Sequence, residues 1–116
     1  MALVTALVVG IGGAAGAVSR YAVSLAIERR TLDTLLVNVA GSFALGFVLG
    51  VGLDGPARLA LGVGFCGAFT TFSSFAVETV GLAEGGEWTT AALNGLGTLL
   101  FALSAVVAGG IVGTAL

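Results

Sequence analysis

Histidine is absent from this 116-residue chain, its four basic residues are all arginine, and cysteine and proline each occur once. Without histidine the commonest general base and metal ligand is missing. A single thiol, Cys66, allows no intrachain disulfide, redox pair or cysteine-based metal site. Charge is equally scarce, at 9% of residues, where soluble domains carry about 25%. What fills the space is apolar: 58% of residues are hydrophobic and the mean hydropathy is +1.17. At this length the chain is a single domain, 1–116. It has no room for a nucleotide-binding or catalytic module, so an enzyme is not expected. Four scattered arginines make no basic patch, and no nucleic-acid partner is expected. The net charge of −2 without lysine is in keeping with a halophilic source.

The few charges define the topology. Residues 1–19 carry none, then come Arg20, Glu28, Arg29, Arg30 and Asp33. Residues 34–53 are uncharged, followed by Asp54 and Arg58; residues 59–77 form a third run, closed by Glu78, Glu84 and Glu87. No charge follows Glu87. Each run meets the length of about 18–20 apolar residues needed to span a bilayer. The pattern predicts an all-α membrane protein of four transmembrane helices, at about 3–27, 34–53, 58–83 and 88–115, in contact with membrane lipid. The first run lacks a basic segment ahead of it and is expected to be retained rather than cleaved as a signal peptide. Pro56 suits the first turn of the third helix.

The third run is the least helix-like. Gly64-Phe65-Cys66-Gly67-Ala68-Phe69-Thr70-Thr71-Phe72-Ser73-Ser74-Phe75 is rich in residues of low helix propensity that compete for backbone hydrogen bonds. A break near 67–73 is expected. Irregular backbone at membrane depth survives only where it is buried in protein or lines a wet cavity. Discontinuous helices of this kind hold ion and substrate sites in transporters.

Twenty glycines add a second signal. Gly12–Gly16, Gly46–Gly50 and Gly109–Gly113 each carry GxxxG spacing, which lets helix backbones approach closely. Packing within the chain and packing between subunits are both open on this pattern. Four helices alone leave little room for a sheltered aqueous path, so a second subunit is expected on geometric grounds.

Polar residues inside the spans are costly in hydrocarbon and mark where function should be sought. Thr34, Asn38 and Ser42 recur at every fourth position on the second helix, and Thr90, Asn94 and Thr98 repeat that spacing on the fourth. Each residue alone could be an interhelical hydrogen bond, worth about 0.6 kcal/mol. Two stripes, each with an asparagine, point to a polar track whose hydroxyl and amide donors can solvate an anion without a fixed countercharge. Arg20 interrupts the first run and Glu78 closes the third. Phe72 and Phe75 share a face if helix resumes after the break, and an aromatic edge can face an anion.

Three blocks, Gly12–Tyr21, Thr34–Phe43 and Gly64–Phe75, occur in this order and closely resemble the CrcB/Fluc family of fluoride channels. The resemblance implies a channel in the cell membrane that exports fluoride ion by passive flux. It further implies an antiparallel dual-topology homodimer, or a pair with a homologous subunit, with two pores and a sodium ion at its centre. On that likeness Gly67 and Thr70 supply backbone carbonyls to the sodium, and Asn38, Phe72 and Phe75 face the pore. Thr34 and Ser42 continue the polar face, Asn94 and Thr98 continue it on the fourth helix, and Arg20 and Glu78 match vestibule or central charges. Asn94 departs from the family pattern, where a tyrosine is common, and Ala102 stands where a hydroxyl is expected.

Two other readings are open on length alone. A small multidrug-resistance exporter needs a carboxylate in its first helix, and residues 1–19 contain no Asp or Glu. A purely structural membrane protein leaves the helix-poor third run and the two asparagines unexplained.

Overall fold

A computed structural model describes residues 2–116. The ordered elements are α1 (Ala2–Ala26), α2 (Arg30–Gly50), α3 (Gly55–Arg58), a π-helical segment (Leu59–Cys66), α4 (Gly67–Phe69), α5 (Ser73–Glu84) and α6 (Trp88–Ala115). Together these form four spans that are long and apolar enough to cross a membrane, the third assembled from α3 through α5. The chain is thus an all-helical, multi-pass membrane protein, measuring 50 × 29 × 24 Å. Its long axis exceeds the roughly 30 Å hydrocarbon core, leaving helix ends in the headgroup zone. Trp88, 69% exposed, and Tyr21, 65% exposed, sit near such ends, as interfacial aromatics do.

Three helix boundaries differ by three residues or more from the sequence reading, and one is the start of the third span, at Gly55 rather than 58. The second helix begins at Arg30, not 34, and ends at Gly50, not 53. Charge alone assigns Arg30 and Asp33 to the loop, yet an acidic residue in a first turn, here Asp33, favours the helix dipole. At the other end Gly52 takes φ +84°, a left-handed conformation that stops helix propagation. The α5–α6 connection is a Schellman cap: Glu87 N–H donates to the Leu82 carbonyl at 2.9 Å and Gly86 N–H to that of Ala83 at 3.1 Å. Gly86 supplies the positive φ, +84°, which such a cap requires.

Close backbone approach organises the packing, and all three GxxxG motifs are used within the chain. The most extensive helix pairing is α2 against α6. A Cβ at Gly46 would collide with the Val106 carbonyl oxygen, and one at Gly109 with that of Phe43. Gly50 and Gly113 continue the seam against Gly110 and Phe47. On the other side α1 lies along the π-helical segment, with Gly12 against Ala60, Gly16 against Phe65 and Gly64 against Val9. In membranes such contacts supply the dispersion and Cα–H contacts that a hydrophobic drive supplies in water.

Very little of the chain is buried: among the described residues Val37 alone has its side chain nearly sealed, at 1% exposure. Long apolar side chains such as Leu7, Ile11, Val63, Leu93, Leu100 and Ile111 point outward. An apolar exterior over a core of small residues, glycine, alanine, threonine, valine and Cys66, is the arrangement expected of a bundle solvated by lipid.

Candidate functional site

The polar stripe of α2 meets the third span where that span loses its helical winding. Cys66 still accepts a helical bond, from Thr70 N–H at 3.1 Å, and the Thr70 hydroxyl donates to the same carbonyl at 2.9 Å. Thr70 then turns extended, with ψ 166°, and helix resumes only at Ser73. Thr71 N–H, which a continuous helix would aim at the Gly67 carbonyl, instead donates to Asn38 Oδ1 at 2.8 Å. Asn38 Nδ2 returns a bond to the Thr71 carbonyl at 2.9 Å. The two bonds fix which way the amide points, since the N–H of Thr71 requires an oxygen opposite it. One Nδ2 hydrogen remains uncommitted.

Two further contacts shape this corner. Gly41, one turn along α2, leaves space that the Thr70 methyl and the Phe69 ring occupy. The Thr71 hydroxyl accepts Ser74 N–H at 3.2 Å, satisfying one of the free donors in the first turn of α5. Thr71 itself is buried, at 8% exposure.

A cavity of about 380 Å³ opens beside the corner. Its lining includes Asn38, Ser42, Phe72, Phe75 and Thr98, so five of the seven sequence-predicted pathway residues come together in one place. Gly67 and Thr70 border the same space. Phe72 and Phe75 stand with ring centroids 5.9 Å apart and planes tilted by 55°. No charged side chain lines this cavity, and its polar groups are hydroxyls, amides and backbone.

The other two residues lie elsewhere. Thr34 borders a second, polar cleft of about 260 Å³ with Arg20, Ser24, Asp33, Ser74 and Glu78. There the Thr34 hydroxyl donates to Glu78 Oε2 at 2.6 Å, and Arg20 Nη2 donates to Ser74 Oγ at 2.9 Å. The second Glu78 oxygen, Oε1, is buried without a hydrogen-bond partner among the described residues. Asn94 is outside the lining of both spaces. Its Nδ2 donates to Thr79 Oγ1 at 2.9 Å, and Thr79 in turn donates to the Phe75 carbonyl at 2.8 Å. Asn94 therefore ties α6 to α5 behind Phe75.

Sequence reasoning missed Thr71, Ser74 and Thr79. All three lay in or beside the Ser/Thr-rich run, where poor helix propensity was the visible signal and the hydrogen-bond partners were not. Ser74 is the partner of Arg20, and Thr71 is the residue on which Asn38 acts.

Residues 7–110 match the family described as CrcB-like protein, Camphor Resistance (CrcB). The chain belongs to the CrcB family. Within that family, a protein of Natronomonas pharaonis named fluoride-specific ion channel FluC 2 is 60% identical over all 116 residues, covering 100% of both chains. One of the same name from Haloarcula marismortui is 54% identical over 105 residues, 89% of this chain and 88% of its own. A fluoride-specific ion channel FluC from Nitratidesulfovibrio vulgaris is 41% identical over 108 residues, 84% of this chain and 87% of its own. This CrcB chain thus aligns end to end with a relative of equal length, and its cavity, break and polar cleft all fall inside the matched region.

Proposed function

We propose that this protein conducts fluoride passively across the cell membrane and so keeps the ion from accumulating in the cytoplasm. The single observation that carries the reading is the charge-free cavity in which Asn38, Ser42, Thr98, Phe72 and Phe75 converge. The names of its full-length relatives support fluoride as the ion.

Fluoride is small and firmly hydrated, so a path must replace its water with donors. Here those donors are the Ser42 and Thr98 hydroxyls, the uncommitted Asn38 Nδ2 hydrogen and the electropositive ring edges of Phe72 and Phe75. A cationic side chain at this depth would hold the anion too firmly for rapid exit, because conduction requires sites the ion can leave. The polar cleft with Arg20 and Glu78 serves as the aqueous approach, its charges at the rim and not in the path. Neither ATP nor covalent chemistry has a role.

Two finer features belong to the same reading. An antiparallel homodimer would cover Phe72, which is 78% exposed in the isolated chain, and give the open cavity its missing wall. The second is a sodium ion at the dimer centre. Hard cations favour oxygen ligands, and the donor set fits: Thr71 N–H and Ser74 N–H, the helical partners of the Gly67 and Thr70 carbonyls, are given to Asn38 and Thr71 side chains instead. Held there, sodium would tie two interrupted helices together.

Purified protein in liposomes should release trapped fluoride, followed with a fluoride electrode, while chloride stays behind. Equal release of both ions, or of neither from well-folded protein, would overturn the proposal. Topology gives a separate expectation. Arg29 and Arg30 flank one side of the bundle and Arg58 the other, a difference of one basic residue, which is a weak bias under the positive-inside rule. Reporters fused to the C-terminus should therefore register on both sides of the membrane. A single exclusive orientation would rule out a dual-topology homodimer.

A further inference from the structure

Asn38 does more than line a cavity. Both heteroatoms of its amide are spent on the backbone of one residue, Thr71, at 2.8 and 2.9 Å. That residue is buried and lies inside the three-residue interruption of the third span. A buried N–H or C=O left without a partner costs about 1–3 kcal/mol, so an interruption at membrane depth persists only if something replaces the lost helical bonds. Asn38 replaces them for Thr71. The consequence falls on Gly67: its carbonyl loses the N–H that a continuous helix would bring to it. Gly67 is exposed, and among the described residues outside its own helical turn and chain neighbours no atom lies within 4 Å of where its Cβ would stand.

We propose that Asn38 is a positioning residue, which presents the Gly67 and Thr70 carbonyls to a cation by holding Thr71 out of the helix. The oxygen of the amide is the essential half, because it alone captures the Thr71 N–H. Without it, that N–H returns to Gly67 or the segment loosens, and in either case the carbonyl is lost to a ligand. This rests on the sodium reading above. Asn38 therefore acts on two sites at once: its remaining N–H faces the anion path, while its oxygen maintains the cation site.

The test is a sodium titration of thermal stability on purified protein, with a bulky organic cation replacing sodium at constant ionic strength, alongside fluoride efflux. Wild type should be stabilised by sodium. Asn38→Leu and the smaller Asn38→Ala, which both remove the acceptor, should shift the half-saturating sodium concentration upward by about tenfold or more, the weight of one ion-to-carbonyl contact. Asn38→Asp keeps an acceptor for Thr71 N–H and should titrate at or below the wild-type concentration while losing fluoride efflux. Phe75→Ile should lose efflux with the wild-type titration. Leucine and alanine variants that titrate like wild type, or an aspartate variant that fails along with them, would overturn the positioning role. A wild type indifferent to sodium would overturn the cation reading and this proposal with it.

Discussion

Phe75→Ile should cut fluoride efflux by up to about tenfold while the protein still folds and assembles. Isoleucine keeps most of the bulk and all of the apolarity, so the packing cost stays near 1 kcal/mol. What disappears is the electropositive ring edge, worth about 0.5–1.5 kcal/mol in aromatic contacts. At the upper end, lost from the barrier that the ion must cross, that amount is tenfold in rate. The backbone around it is well held, since the Phe75 carbonyl is fixed by Thr79, which is fixed in turn by Asn94. Loss of flux can thus be assigned to the ring. Efflux from liposomes, read beside the elution volume of the purified protein, checks this. Wild-type efflux through a well-folded variant would mean that the ring is packing and the lining is wrongly assigned.

The second large effect lies in the glycine seam. Gly109→Ala should destabilise the protein by about 1–3 kcal/mol, the usual cost of overfilling a packed contact. The added methyl would meet the carbonyl of Phe43 and the backbone N–H of Phe47, atoms of α2 that cannot turn aside as a side chain can. Gly46→Ala on the facing helix meets the backbone of Val106 and Gly110 and should behave alike. Gly10→Ala is the control: nothing lies within 4 Å of its Cβ position, and the better helix propensity of alanine favours it by up to about 1 kcal/mol. Thermal unfolding in detergent separates the cases. Equal stability of Gly109→Ala and Gly10→Ala would show that the α2–α6 seam is not closely packed.

Much of this was legible in the sequence because a membrane imposes simple rules. Ten charges in 116 residues are enough to mark every loop, and four spans follow. The errors came where charge and helix coincide: Arg30 and Asp33 lie inside the first turns of α2. The π-helical winding of Leu59–Cys66 left no mark that a 3.6-residue period could detect. It also turns each following side chain to a different face from the one that period assigns. The stripe of Thr34, Asn38 and Ser42 was visible, but its partners were not. Only the fold reveals that Thr34 meets Glu78, that Asn38 meets the backbone of Thr71, and that Asn94 turns to Thr79 and away from the cavity. Spacing reports which residues share a face; it is silent on which backbone atom opposite has lost its own partner.

The most direct test of fluoride-selective passive conduction is the reversal potential of purified protein in a planar bilayer, with a tenfold fluoride gradient and symmetrical chloride. A fluoride-selective path gives a reversal potential at the fluoride equilibrium value, about 59 mV for a monovalent ion, in the absence of any energy source. A reversal potential near zero under that gradient would mean that chloride carries the current, and would contradict that selectivity.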